Sequence, residues 1–238
     1  MYQTEDNLSN FYFGLLETGD IFRIFGNPQQ SAEFYAEAYP GLKRLNMTLA
    51  IGYCERGYGD LAFQAGQYDE ALRRYEQYLE YATRENHPWS KAQARAKRAL
   101  ALACLEKREQ ARQEIHDQLT EIRGWGEDEL LLIALLVEPV CQMQEGKHEQ
   151  AVELAAFLCS HPVAWNEVKQ QAQAFLENEP FYTSPEWQKV QDFFLDGVAE
   201  RCRQLGLSGY LPKPINDADL SLALEEALSE ASVASVAR

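Results

Sequence analysis

Few side chains in this sequence combine the type and spacing that chemistry at an active site requires. Gly146-Lys147 is the only Gly-Lys pair, and it lacks the upstream glycine of a phosphate-binding loop. The four histidines are isolated, and none forms the paired spacing of a metal site: His87, His116, His148 and His161. Because catalysis needs groups that converge on one substrate, we expect no catalytic residue, no metal and no cofactor. The sequence predicts a protein that is not an enzyme.

The five cysteines are odd in number, widely spaced and set among apolar helical positions, so they are expected to be buried thiols in a reducing compartment. The start of the chain shows no leader pattern. The longest apolar run, Leu130 to Val137, is far shorter than a membrane span. These features predict a cytoplasmic protein with no membrane partner.

The net charge of −15 argues against direct binding of nucleic acid, which needs lysine and arginine in excess. Basic residues are nevertheless concentrated between Arg84 and Arg112. Lys91, Arg95 and Arg98 share one face of a predicted helix, and we call them the basic strip. Two interpretations stay open: a solvated face with ordinary surface ion pairs, or a docking site for an anionic partner. The chain's own acidic C-terminal helix is one candidate partner.

A regular repeat organises the elements that must position any site. Gly19, Gly59 and Ala99 fall at equivalent places, as do Tyr35 and Tyr75. These positions are 40 residues apart, and a fixed period of this size indicates stacked helical pairs. The 3.6-residue apolar pattern predicts helices and no strand, and His87-Pro88 and His161-Pro162 are each expected to close a helix. The predicted pairs are 5–25 with 29–40, 46–65 with 68–85, 90–105 with 108–123, and 127–145 with 148–160, followed by helices at 164–178, 185–205 and 217–231.

The second repeat places small and large residues in a regular order, at Gly59, Gly66, Tyr68, Ala71, Tyr75 and Leu79. In this order the chain resembles the tetratricopeptide-repeat family, in which small residues lie where two helices cross closely and large residues lie between them. The period of 40 residues is longer than the usual 34 of that family, and in this respect the chain is similar to the sensor region of bacterial maltose-activator-type transcription regulators and related signalling ATPases. The resemblance implies an all-α fold, a right-handed α-solenoid of about four helix pairs with additional C-terminal helices. We expect the repeat array at 1–178, a capping helix and connector at 179–211, and an amphipathic helix with a frayed tail at 212–238.

The resemblance also implies a concave groove lined by the first helix of each pair. Carrying the groove positions onto this chain gives Asp20, Arg23, Tyr53, Arg56, Asp60, Phe63, Gln93, Lys97, Met143 and Gln144. Such a mixture suits a peptide or a helix. We therefore expect a non-enzymatic protein- or peptide-binding scaffold or adaptor in bacterial signalling or transcription regulation. A small-ligand sensor for a sugar or peptide is the alternative, and a self-assembling scaffold is a third hypothesis.

Overall fold

The computed structural model describes residues 5–122, 128–160 and 166–178, and every regular element in these ranges is an α-helix. The chain divides into two compact units, Met1–Glu121 with Glu129–Gln173 and Ile122–Asp128 with Ala174–Arg238. The second unit, with the expected connector and C-terminal helices, lies almost wholly outside the described residues. No helix in the described part is long and apolar enough to span a membrane. The helices are α1 (Glu5–Ile24), α2 (Pro28–Arg44), α3 (Thr48–Gln64), α4 (Tyr68–Arg84), α5 (Pro88–Cys104), α6 (Arg108–Ile122), α7 (Asp128–Leu135), α8 (Val137–Gln144), α9 (His148–Ser160) and α10 (Asn166–Asn178).

The connections between helices follow one design. Helices α2 to α5 each contain 17 residues, and three residues join each to the next. After α3, the backbone N–H of Gly66 donates to the Phe63 carbonyl and that of Gln67 donates to the Ala62 carbonyl, both at 2.9 Å. This pair of bonds closes a helix around a residue of positive φ. A residue of positive φ occupies the equivalent place in the other turns of this kind, and these residues are regularly spaced: Gly26, Asn46, Gly66, Asn86, Glu106 and, later, Gly146.

Consecutive helices pack against their neighbours in the first unit, with α1 on α2, α2 on α3, α3 on α4, α4 on α5, and α8 on α9. Contacts also join helices two apart, α1 with α3. Apolar clusters fill these interfaces, and one of them unites Ala62, Ala71, Tyr75 and Ala101 from three successive helices. The small residues of the repeat at Ala71, Ala111 and Ala151 are completely buried. The all-helical prediction is confirmed for the described residues.

His87-Pro88 lies between two helices as expected: His87 has the extended backbone typical of a residue before proline, and its N–H donates to the Ala82 carbonyl at 2.9 Å in the pair of bonds that closes α4. Helix α4 has already ended at Arg84, and His87 caps the start of α5, where its Nδ1 accepts a hydrogen bond from the Ser90 N–H at 3.3 Å. Pro88 then occupies the first helical position, where a missing N–H costs nothing and the fixed φ suits the helix. The other pair, His161-Pro162, lies outside the described residues.

Pro139 and Pro40 affect their helices differently from the prediction. The single helix expected at 127–145 is divided at Leu136, because Pro139 cannot donate to the carbonyl of Leu135 and its ring crowds that carbonyl. By contrast, α2 continues through Pro40 to Arg44. Ala36, whose carbonyl loses its helical partner there, lies on the exposed side of α2, where water can replace the missing donor.

Candidate functional site

A glycine in α3 allows a tyrosine ring to pack directly against the helix backbone. A Cβ atom at Gly59 would lie 2.6 Å from Cε1 of Tyr75, which is closer than real contacts permit. From this position the buried Tyr75 hydroxyl donates to Oδ1 of Asp60 at 2.8 Å. The close approach of α3 and α4 therefore brings a carboxylate and a phenol together inside the protein.

The same arrangement occurs one repeat earlier in the chain. A Cβ atom at Gly19 would lie 2.6 Å from Cε1 of Tyr35, and the Tyr35 hydroxyl donates to Oδ1 of Asp20 at 2.6 Å. Sequence reasoning identified both tyrosines as repeat positions but missed these bonds. The signal is a Gly-Asp pair followed, 15 residues after the aspartate, by tyrosine. One repeat after Asp60 the equivalent residues are apolar: Ala99, Leu100 and Ile115.

Asp60 is the centre of a buried charged cluster that joins α1, α3 and α5. Lys97 donates from Nζ to Asp60 Oδ1 at 2.9 Å, and Arg23 Nη1 lies 3.3 Å from Asp60 Oδ2. All three side chains are almost completely buried. Since an isolated charge is costly in the interior, this cluster is held by mutual pairing across three helices.

Arg56 extends the cluster toward solvent. Its guanidinium forms an ion pair and hydrogen bond with Asp20 and lies over the ring of Tyr53, 5.4 Å from the centroid. Burial opposes the charge of Arg56, but the pKa of the guanidinium is raised by Asp20 and, more weakly, by Asp60. Asp20 also lies 3.6 Å from Arg23, so the two carboxylates and three cations form one connected set. We call this set, Asp20, Arg23, Arg56, Asp60 and Lys97, the charged cluster.

Two neutral side chains, Tyr78 and Gln93, extend these contacts through Tyr53. The Tyr53 ring packs against Tyr78 with centroids 6.0 Å apart, and the buried Tyr78 hydroxyl donates to Oε1 of Gln93 at 2.9 Å. Ser90 also donates to the Tyr53 hydroxyl at 3.4 Å. Seven of the ten predicted groove residues are thus brought together.

The other three groove residues make different contacts in the described part of the chain. Phe63 packs against Tyr68 with ring centroids 5.2 Å apart. Gln144 donates from its side chain to the Ala103 carbonyl at 2.7 Å. Met143 is half-buried in α8, and no described contact joins it to the charged cluster. The assignment of all ten residues to a partner-binding groove stays a prediction.

Access to the charged cluster is uneven. The side chains of Arg56 and Asp20 keep 15% and 20% of their surface, and Tyr53 is half-buried beside them. Arg23, Asp60, Gln93 and Lys97 are buried. The charged cluster therefore meets solvent at the edge formed by Asp20, Tyr53 and Arg56, while the buried members hold that edge in place.

The charged cluster is poorly suited to proton transfer near neutral pH. Burial disfavours ionisation of Asp60, yet the charges of Lys97, Arg23 and Arg56 hold its pKa below the ordinary aspartate value. Burial and the charge of Asp20 raise the pKa of the Tyr35 phenol far above its usual range. A general acid or base works best with a pKa near the working pH. Both shifts move these groups away from that range.

Burial determines the state of three cysteine thiols in the described ranges. Burial raises the pKa of Cys54, Cys104 and Cys141 to about 12, so these residues are protonated thiols at neutral pH. Within residues 5–122, 128–160 and 166–178, no group of three histidine, cysteine or acidic side chains is placed to hold a metal ion.

The basic strip on α5 is paired with acids of α6. Arg95 lies 2.7 Å from Glu121, and Lys91 lies 3.4 Å from the same carboxylate. Arg98 lies 3.6 Å from Glu114. These contacts favour the interpretation of a solvated face with ordinary ion pairs. Docking of the acidic C-terminal helix there stays a prediction, because that helix lies outside the described residues.

Comparison with known proteins yields no match to a protein-family model, to a curated protein or to a solved structure. The likeness to tetratricopeptide repeats therefore rests on the residue pattern alone.

Proposed function

We propose that this chain is a non-enzymatic binding module that holds a protein or peptide segment on the face formed by α1, α3 and α5. The observation that carries this proposal is the charged cluster, in which side chains from three helices of the array meet at one edge. Buried ion pairs contribute no more stability than apolar packing of similar volume. Their concentration around one edge is better explained by recognition than by folding.

The partly exposed edge has the composition of an interaction site. Tyrosine and arginine are the residue types most enriched where binding energy is concentrated. Arg56 is held by Asp20 on one side and by the Tyr53 ring on the other, so little side-chain freedom remains to be lost on binding. We infer a right-handed solenoid of tetratricopeptide-like pairs as the scaffold, acting in the cytoplasm in bacterial signalling or transcription regulation.

The proposal is tested by affinity capture with quantitative mass spectrometry, comparing the full chain with Arg56→Gln. The matched control is Arg73→Gln, because Arg73 on α4 is also ion-paired, 2.6 Å from Glu70, but is half exposed, and no described contact joins it to the edge. A specific partner should fall about tenfold in yield with Arg56→Gln and remain with Arg73→Gln, a loss of about 1.4 kcal/mol. Melting curves of both variants check that the fold is retained.

A partner captured equally by both variants would place binding elsewhere on the chain and refute the use of this edge. A rise in melting temperature with a sugar or a short peptide alone would instead favour a small-ligand sensor.

A further inference from the structure

The charged cluster is a row in which cations and carboxylates alternate. Arg56 pairs with Asp20, and Asp20 lies 3.6 Å from Arg23. Arg23 lies 3.3 Å from Asp60, and Asp60 lies 2.9 Å from Lys97. The row therefore begins and ends with a cation. Arg56 is the end that meets solvent, since 15% of its side chain is exposed, whereas Lys97 at the other end is buried.

The carboxylate of Asp20 is already shared among three side chains. Its Oδ1 accepts from the Tyr35 hydroxyl at 2.6 Å and lies 3.6 Å from Arg23, while its Oδ2 pairs with Arg56. Because two guanidinium groups face this one carboxylate, it balances the charge of Arg56 only in part. Glu17, the preceding acid on α1, is exposed and makes no ion pair with Arg56 within the described residues. A cationic partner would have to compete with the chain's own side chains for Asp20.

The edge still offers hydrogen-bond donors. An arginine guanidinium carries five N–H groups. Among the described residues, Arg56 makes one hydrogen bond, from Nη2 to Asp20, and its Nε is buried without an acceptor. The Tyr53 hydroxyl accepts from Ser90, so its own proton is available for a further bond. An edge whose available groups are donors is suited to a partner group that accepts hydrogen bonds.

We propose that the edge formed by Asp20, Tyr53 and Arg56 binds the carboxylate of an aspartate or glutamate side chain in the partner. This inference rests on the proposed function and names the group that the same site recognises. A carboxylate continues the alternation of the row beyond Arg56, and its bond to a guanidinium is stronger than that of a neutral carbonyl. The net charge of −15 alone would favour a basic partner, so the preference comes from the local arrangement of charges.

Selection from a library of random segments of about 12 residues, displayed between constant sequences so that no terminus is free, tests this preference. The targets are the full chain and its variant Arg56→Gln, with Arg73→Gln as the control. Segments that depend on Arg56 should be enriched in aspartate or glutamate at one position. Changing that acid to its amide should weaken binding to the full chain at least about tenfold, and to Arg56→Gln less than about twofold.

A second variant separates the charge of Arg56 from its shape. Arg56→Lys keeps the positive charge but loses the planar fork of the guanidinium. It should retain the preference for the acid over the amide while binding each acidic segment more weakly than the full chain does. Melting curves of each variant establish that it is folded under the conditions of selection.

The possible failures of this inference and of the proposed function differ. Segments that depend on Arg56 but lack an acid, or carry lysine or arginine at the common position, refute the acidic group and leave the edge as a binding site. Acidic segments that bind the full chain and Arg56→Gln equally well refute carboxylate recognition at Arg56. Recovery of no segment that depends on Arg56 refutes the edge as a binding site, and the inference with it.

Discussion

Replacing Asp60 with asparagine removes the carboxylate that Arg23, Lys97 and Tyr75 share. Breaking a buried ion pair by removing one partner costs about 3–5 kcal/mol. The lower end applies, because the asparagine oxygen can still accept from Tyr75 and Lys97, and Asp20 remains 3.6 Å from Arg23. We therefore expect Asp60→Asn to lower the free energy of unfolding at pH 7 by about 3 kcal/mol.

The pH dependence of this loss has a definite sign. The pKa of Asp60 is lowered in the folded protein, because Lys97, Arg23 and Arg56 outweigh the opposing effect of burial. Its contribution to stability is therefore complete above the unfolded pKa of about 4 and disappears as the pH falls through the folded value. The difference between wild type and Asp60→Asn should be constant at neutral pH and shrink below about pH 4.

Urea unfolding followed by circular dichroism measures this difference at each pH. Asp69→Asn is the matched control, because Asp69 is exposed in the first turn of α4 and its substitution should cost well under about 1 kcal/mol. A loss at Asp60 no larger than at Asp69, or a difference that persists unchanged into acid, would show that the Asp60 carboxylate is not what balances the buried charges of Arg23 and Lys97.

Two further substitutions test the packing. Gln118→Leu should raise the free energy of unfolding by about 1–2 kcal/mol in urea titrations, because both amide atoms of Gln118 are buried without a hydrogen bond to the described part of the chain. Leucine already occupies the equivalent buried position at Leu158, and an unchanged or lower stability would contradict this reasoning. Gly59→Ala should lower the free energy of unfolding, measured by thermal denaturation, by about 1–3 kcal/mol, because the new Cβ meets the Tyr75 ring. The comparison is Gly14→Ala, where the added Cβ meets nothing within 4 Å; equal effects would refute the close-packing argument.

The helix positions follow closely from the residue pattern, because glycine or asparagine marks five of the six described turns that contain a residue of positive φ. Glu106 is the exception, because glutamate does not favour positive φ and its residue type therefore does not indicate the turn. The charged cluster was harder to foresee, because each of its residues is of a type that usually faces water. Nevertheless, Arg23, Asp60 and Lys97 are evenly spaced along the chain, at an interval close to one repeat. Such an interval brings residues onto adjacent odd-numbered helices, so the spacing indicates the contact, whereas burial depends on packing that sequence does not specify.

The uniform length of α2 to α5 and of their connections determines which insertions and deletions the array tolerates. Duplicating one whole helical pair with its turns would present the same side chains to the same neighbours, with each Gly, Asn or Glu still at its turn. Losing a single residue within α4 would instead rotate everything beyond it by about 100° and turn core alanines toward solvent. Related chains should therefore differ by whole helical pairs far more readily than by single positions within a helix.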